Sequence, residues 1–220
     1  MSGFNGVILT SNFNLIIIGT GGHSRVVADS AINSGFNLLG FLDLNYKNED
    51  EKILGFEVLG GLSFLDTCDK NRTLLVIAVG DNNKRSKLSL KLRGKGFSMQ
   101  TIIHPAAIVS KYCTIGEGCF INAGTVISTG VIIGEGCIIN TGVIVDHESK
   151  IGCYCHLAPG VKIAGRTTVG NYSFIGIGTT VIDFIKIGAN VTIGAGSVVI
   201  NDIKSNITVM GVPAKVEVAK

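Results

Sequence analysis

Val145-Asp146-His147-Glu148-Ser149-Lys150 is the densest run of ionisable side chains in the second half of this chain. His147 has a carboxylate on either side. Immediate neighbours on a strand point to opposite faces, so a direct His–carboxylate pair here needs a turn. A carboxylate that holds one imidazole nitrogen raises the basicity of the other, which is what a general base requires. The competing reading is a solvated corner with no role. The scarcity of charge in the surrounding segments favours chemistry. His156 follows nine residues later, close to Pro159-Gly160. His104, His147 and His156 include no close pair at ligand spacing, so a zinc site is not expected. Cys155 adjoins His156 but reads as a packing residue, and no Ser or Cys makes a nucleophile arrangement with a histidine. Direct transfer assisted by a base, with no covalent intermediate, is the simplest chemistry these residues support.

A second constellation lies near the start. Phe13–Ile18 is an aliphatic run that ends in Gly19-Thr20-Gly21-Gly22-His23-Ser24, and Val26, Val27, Ala31 and Ile32 then recur at helical spacing. A strand over Leu38–Leu42 ends in Asp43, and another over Leu74–Val79 ends in Gly80-Asp81-Asn82-Asn83. Lys84–Arg93 reads as a helix and Met99–Ile103 as a last short strand. Strand, glycine turn, helix, strand and acid make a βαβ unit with right-handed crossover. Backbone N–H groups at such a turn can hold phosphate, and Asp43 stands where a ribose hydroxyl would be met. Ser24 occupies the third glycine position of the dinucleotide fingerprint. With the domain also short, a mononucleotide or nucleotide-sugar is favoured over NAD.

The elements that position the histidine cluster are of another kind. From Ile103 to Val199 every sixth residue is Ile, Val or Leu. Helices repeat at about 3.6 and strands at about 2, so this period is a short strand plus a turn, repeated. It predicts a β-helix of hexapeptides, whose coils bury their apolar residues only by stacking. Four residues after most of these aliphatics comes a small or β-branched residue, among them Cys113, Cys119, Thr125, Cys137, Ser149, Cys155, Thr167, Ser173 and Thr179. Glycine often follows the aliphatic directly (Gly116, Gly134, Gly152, Gly170, Gly176, Gly188, Gly194), where a sharp corner is expected to need positive φ. Three hexads make one coil of eighteen residues, so His147 and His156 are half a revolution apart. They should not face one cleft within a chain, but they could meet across a boundary between two prisms.

The expected domains are a loose leader at 1–12, a nucleotide-sugar-binding βαβ domain at 13–102, and the β-helix with a C-terminal cap at 103–220. His104-Pro105 forms the junction. Gly is abundant (30 of 220 residues) and Trp absent, as a narrow prism requires. A net charge of +3, with scattered lysines and arginines, argues against nucleic acid and anionic membranes. No apolar stretch is long enough to span a bilayer, and residues 1–12 lack the features of a signal peptide. The six cysteines are expected reduced and the protein cytoplasmic.

Gly19-Thr20-Gly21-Gly22-His23, Phe41-Leu42-Asp43, Ala78-Val79-Gly80-Asp81-Asn82, Ile103-His104-Pro105, Asp146-His147-Glu148 with His156, and Gly211-Val212-Pro213-Ala214-Lys215 form one set. Together they resemble the left-handed β-helix sugar acyltransferases related to sialic acid O-acetyltransferase. Within that family they are most similar to bacterial N-acetyltransferases acting on nucleotide-linked 4-amino-4,6-dideoxy sugars. The resemblance spans residues 13–215. It implies a Rossmann-like N-terminal domain before a left-handed parallel β-helix, a homotrimer, and acetyl-CoA in the groove between two prisms, with no metal. His147 would take the proton from the sugar amine and Glu148 would orient it. His156 would touch the acetyl carbonyl region. Backbone amides near Gly165, Ile177 and Ala195 would line the CoA arm, with Lys215 of the Gly211–Lys215 ending also toward CoA. Gly21, Gly22, His23, Asp43 and Gly80 would hold the UDP end. Leu44 stands where a second acid can follow Asp43, which bears on the ribose contact. Two other readings stay open: O-acetylation of a sialic-acid-type sugar, and a non-catalytic trimeric scaffold that binds nucleotide-sugars.

Overall fold

A computed structural model describes residues 13–47 and 51–216; the expected leader at 1–12 lies outside the described residues. The chain divides into two compact units, Met1–Pro105 and Ala106–Lys220.

The first unit runs β1 (Asn14–Ile18), α1 (Gly22–Asn33), β2 (Asn37–Leu42), β3 (Lys52–Ile53), β4 (Phe56–Gly60), a short 3-10 turn (Leu62–Thr67), β5 (Thr73–Ile77), α2 (Asn82–Gly94), β6 (Ser98–Met99) and β7 (Ile102–Ile103). Six strands form a sheet in the order β3-β4-β2-β1-β5-β6. β1 pairs in parallel with β2 on one side and β5 on the other. A central parallel strand is covered on both faces, which is why it reads as a continuous aliphatic run. Leu15, Ile16, Ile17 and Ile18 are fully buried. Ile16, Ile18, Leu42, Leu75, Leu92 and Phe97 share one core. The chain leaves β1 toward β2 on one side and later returns to β5 on the other. The loops after β1 and β5 therefore flank a topological switch point, where open parallel sheets bind ligands. The last predicted strand divides: β6 and β7 are separated by Gln100-Thr101.

In the second unit every strand from Ile108–Val109 to Val198–Val199 is two residues long and ends on a hexad aliphatic, and a ribbon of Thr208–Met210 and Lys215–Val216 follows. Three parallel stacks form its faces. Ile108–Val109, Val126–Ile127, Ile144–Val145, Lys162–Ile163, Thr180–Val181 and Val198–Val199 make the first. Thr114–Ile115 through Lys186–Ile187 make the second, and Phe120–Ile121, Ile138–Ile139, His156–Leu157, Phe174–Ile175 and Thr192–Ile193 lie in the third. Ile127 pairs with Val145 and Val145 with Ile163, one coil per step. The hexad residues point inward: Ile121, Ile139, Val145, Leu157 and Ile193 are fully buried.

The small-residue register does more than fill space. Thr125, Ser149, Thr167 and Ser173 each donate a hydroxyl to a carbonyl oxygen of the following coil (Asn140, Ala164, Ile182 and Gly188) at 3.0–3.1 Å. Cys119, Cys137 and Cys155 use Sγ in the same way, toward Gly134, Gly152 and Gly170. All six cysteines are free thiols. Buried carbonyls at the corners are thereby paired, which a plain small apolar residue could not do.

The glycines that follow the aliphatics correct the expectation made for them. None of Gly116, Gly134, Gly152, Gly170, Gly176, Gly188 or Gly194 has positive φ. A Cβ on Gly116 would instead lie 2.6 Å from Glu135 N, and one on Gly134 2.7 Å from Cys153 N. These glycines exist so that adjacent coils can approach. Positive φ falls two residues later in most hexads, at Gly118, Gly136, Gly142 and Gly160 among the glycines, and equally at Glu148, Tyr154, Arg166, Tyr172, Phe184 and Asn190.

Candidate active site

His147 sits in the turn between Ile144–Val145 and Lys150–Ile151, at the corner joining the first face to the second. The corner residues stack from coil to coil. Glu148 N donates to Thr129 O, Arg166 N to His147 O, and Phe184 N to Gly165 O, at 2.9–3.1 Å. This ladder sets Gly165 against His147 and Arg166 against Glu148. A Cβ on Gly165 would come within 2.6 Å of His147 Nε2 and Cε1, so the imidazole occupies the space a side chain would take. About half of the His147 side chain is exposed.

The two acids beside His147 differ in role. Asp146 Oδ1 accepts the main-chain N–H of His147 at 2.7 Å. Glu148 Oε2 lies 3.6 Å from His147 Nδ1 and 2.6 Å from Arg166 Nε. The Arg166 hydrogen bond, and then its charge, hold the Glu148 carboxyl below the usual carboxylate range. The Arg166 guanidinium lies 5.5 Å over the Phe184 ring. Arg166 was missed by the sequence reading, although it stands one coil, eighteen residues, after Glu148.

The other expected acyl-site residues occupy different places. His156 lies on the third face, paired in register with Ile138 and Phe174, and its ring meets Phe174 edge-on at 5.2 Å. Ile177 and Ala195 share one column at the corner between the third and first faces, and Gly196 N donates to Ile177 O at 2.7 Å. Ile177 is exposed. Lys215 pairs with Met210 in an antiparallel ribbon, and Ala214 N donates to Val198 O. Within one chain, then, His147 and Gly165 come together at one corner, while Ile177 and Ala195 lie at another.

In the first unit Gly21 caps α1 with no side-chain hydrogen bond. α2 by contrast is capped by Asp81, whose Oδ1 accepts from Lys84 N at 2.7 Å. The positive end of the α1 dipole therefore lacks the carboxylate that α2 carries. A Cβ on Gly21, Gly22 or Gly80 would meet nothing within 4 Å, and none of the three has positive φ. Neither packing nor backbone conformation demands glycine there. Gly19 differs: its φ is +114° and a Cβ would press on Ala78 O at 2.9 Å. Ser24, in the third fingerprint position, is fully buried and its hydroxyl donates to Gly21 O at 2.6 Å. His23 is pushed down to about 4, chiefly by burial and then by the Arg85 charge. Arg85 is itself buried and braces the loop after β5, donating to Val79 O and Gly80 O at 3.0 Å. Asp43 follows β2 and lines a cleft of about 260 Å3 with Thr20, Asn45, Tyr46, Lys47, Glu51 and Val58. One of its oxygens accepts from Asn45 N. Among the described residues no group of three His, Cys, Asp or Glu side chains could hold a metal ion, and no helix is long and apolar enough to cross a membrane.

Residues 14–92 match the PglD N-terminal domain, and residues 112–147 and 166–201 match the bacterial transferase hexapeptide repeats. Over 121 residues, half of this chain, the sequence is 38% identical to UDP-N-acetylbacillosamine N-acetyltransferase of Bacillus subtilis (strain 168); the chain spans about half the length of that curated relative (51%). The acetyltransferase domain of PglB from Neisseria gonorrhoeae is 33% identical, with a TM-score of 0.88 over 94% of this chain and all of that one. PerB from Caulobacter crescentus, solved with CoA and GDP-perosamine, is 37% identical, with a TM-score of 0.87 over 93% of this chain and 97% of its own. The chain therefore belongs to the sugar N-acetyltransferase family in which a Rossmann-like PglD N-terminal domain precedes a left-handed β-helix of hexapeptide repeats.

Proposed function

We propose that this protein transfers the acetyl group of acetyl-CoA to the 4-amino group of a nucleotide-linked 4-amino-4,6-dideoxy sugar, with His147 as general base. The observation that carries the reading is the His147 corner: an imidazole seated over Gly165, with Nδ1 toward a carboxylate that Arg166 keeps ionised. The neutral amine attacks the thioester carbonyl carbon and becomes cationic. His147 Nε2 takes its proton, the C–S bond breaks, and the proton passes to the departing thiolate. Negative charge developing on the carbonyl oxygen calls for a preorganised donor, which a coil N–H supplies. Holding amine and thioester together contributes much of the rest.

The first unit holds the nucleotide diphosphate at the α1 N-terminus, with Gly21, Gly22, His23 and Gly80 giving close backbone approach and Asp43 meeting the ribose. The nucleotide is taken as UDP, following the Bacillus relative; GDP is the competing case, following PerB. The working unit is a homotrimer. Gly165 and the Ile177–Ala195 column sit at different corners of one prism, so a CoA groove that uses all three must draw them from neighbouring copies. His156 would reach the acetyl carbonyl region, and Lys215 the CoA arm, across the same boundary. Dependence on acetyl-CoA and an activated sugar puts the reaction in the cytoplasm. The test is thiol release from acetyl-CoA against UDP- and GDP-linked 4-amino-4,6-dideoxy sugars, with free sugars and sialic-acid-type acceptors as controls. Turnover with a UDP-4-amino sugar is expected. Release only with a hydroxyl acceptor, or with none of them, would refute the reading.

A further inference from the structure

Glu148, Arg166 and Phe184 form one column at the His147 corner, and all three have left-handed backbone, with φ of 57°, 57° and 62°. A side chain disfavours that conformation, and this chain places three non-glycine residues in a row where Gly130, the preceding member of the column, takes it without strain. The Glu148 side chain reaches Arg166 in the next coil, and the Arg166 side chain reaches Phe184 in the one after. The result is a single carboxylate oxygen, Glu148 Oε2, shared between Arg166 Nε at 2.6 Å and His147 Nδ1 at 3.6 Å. The nearer contact fixes the oxygen. The farther one is just beyond hydrogen-bond length, near enough for the carboxylate charge to favour a proton on Nδ1. Asp146 does not compete through Oδ1, which is bonded to the His147 main chain. The Phe184 ring lies 5.5 Å from the guanidinium.

We propose that Arg166 is a positioning residue: it pins the Glu148 carboxylate opposite His147 Nδ1 and so selects the tautomer with the proton on Nδ1, leaving Nε2 as the proton acceptor. The proposal rests on His147 being the general base. Arg166 touches neither reacting group; it acts through Glu148. A lysine could supply the charge but not the planar N–H that meets Oε2.

The experiment reads the tautomer directly in the full-length protein labelled with 15N-histidine, using long-range 1H–15N correlations above the imidazole titration and assigning His147 by its loss in H147N. Wild type is expected to show Nδ1–H at His147. Arg166→Asn, which suits left-handed backbone, is expected to shift His147 toward Nε2–H. It should also lower kcat roughly tenfold, with the KM for acetyl-CoA unchanged. Arg166→Lys should recover only part of both. Arg166→Gln serves as a second variant at the same exposed site. Nε2–H in wild type, or the same tautomer in wild type, R166N and R166Q, overturns the proposal. Because the tautomer is read without substrate, failure of every acceptor sugar would count against the proposed activity and leave this outcome separately decided.

Discussion

Two histidines carry the residue-scale account. His147 stands in a turn whose register was legible, because the hexads run unbroken from Val145 to Ile151. The partner of Glu148 in the next coil was legible in principle: Glu148 and Arg166 are one coil apart, the same offset that pairs Val145 with Ile163. The direction of the Glu148 side chain, more toward Arg166 than toward His147, could not be read, because it depends on rotamers and distances at an exposed corner. His23 gives a prediction of its own. Folded, it titrates at about 4 against an ordinary value of 6.5. Between those values the unfolded chain binds a proton that the folded chain refuses. Stability is therefore intact above pH 6.5 and falls as pH drops toward 4, by at most about 3 kcal/mol. Denaturant unfolding of wild type and His23→Asn across that range should show the variant losing less. Parallel losses in the two proteins would contradict this assignment.

At the scale of elements, the period of six yielded the strands and their inward faces, while the glycines divided into two classes that sequence spacing alone does not separate. Glycine directly after the aliphatic is needed where coils touch; glycine two positions further on relieves left-handed backbone, and other residues tolerate that position. Unfolding measurements on one variant of each class test the distinction. Gly134→Ala drives a methyl into Cys153 and is expected to cost about 3 kcal/mol. Gly142→Ala has open space and φ of +65°, and should cost about 1 kcal/mol. Equal losses would refute the division. The β3–β4 hairpin escaped the sequence reading for a related reason. Its turn is Leu54-Gly55, with positive φ at both residues, and a leucine at the first position hides the Asn-Gly or Asp-Gly signal that usually marks such turns. Ser24 follows the same logic in reverse: the third fingerprint position needs a small residue for helix–sheet packing, and a buried serine bonded to Gly21 O meets that need.

At the scale of the whole molecule, two units of different physics share one chain. The first offers a helix start without a side-chain cap beside a switch point in a parallel sheet; the second offers a column whose corners repeat every coil, so that the dense charge at 146–150 stands out. The division into a sheet domain and a coil domain was legible because the hydrophobic period changes. The separation of Gly165 from the Ile177–Ala195 column, on different corners of one prism, was not. The proposed activity joins these pieces through a single proton transfer, and the most direct measurement is the rate of acetyl transfer to a nucleotide-linked 4-amino sugar by His147→Asn, in protein whose melting temperature and oligomer mass match wild type. Loss of a positioned base predicts a fall in kcat of roughly 10²–10⁴-fold with the KM for acetyl-CoA little changed. A variant that retains kcat within a few-fold of wild type would contradict the account.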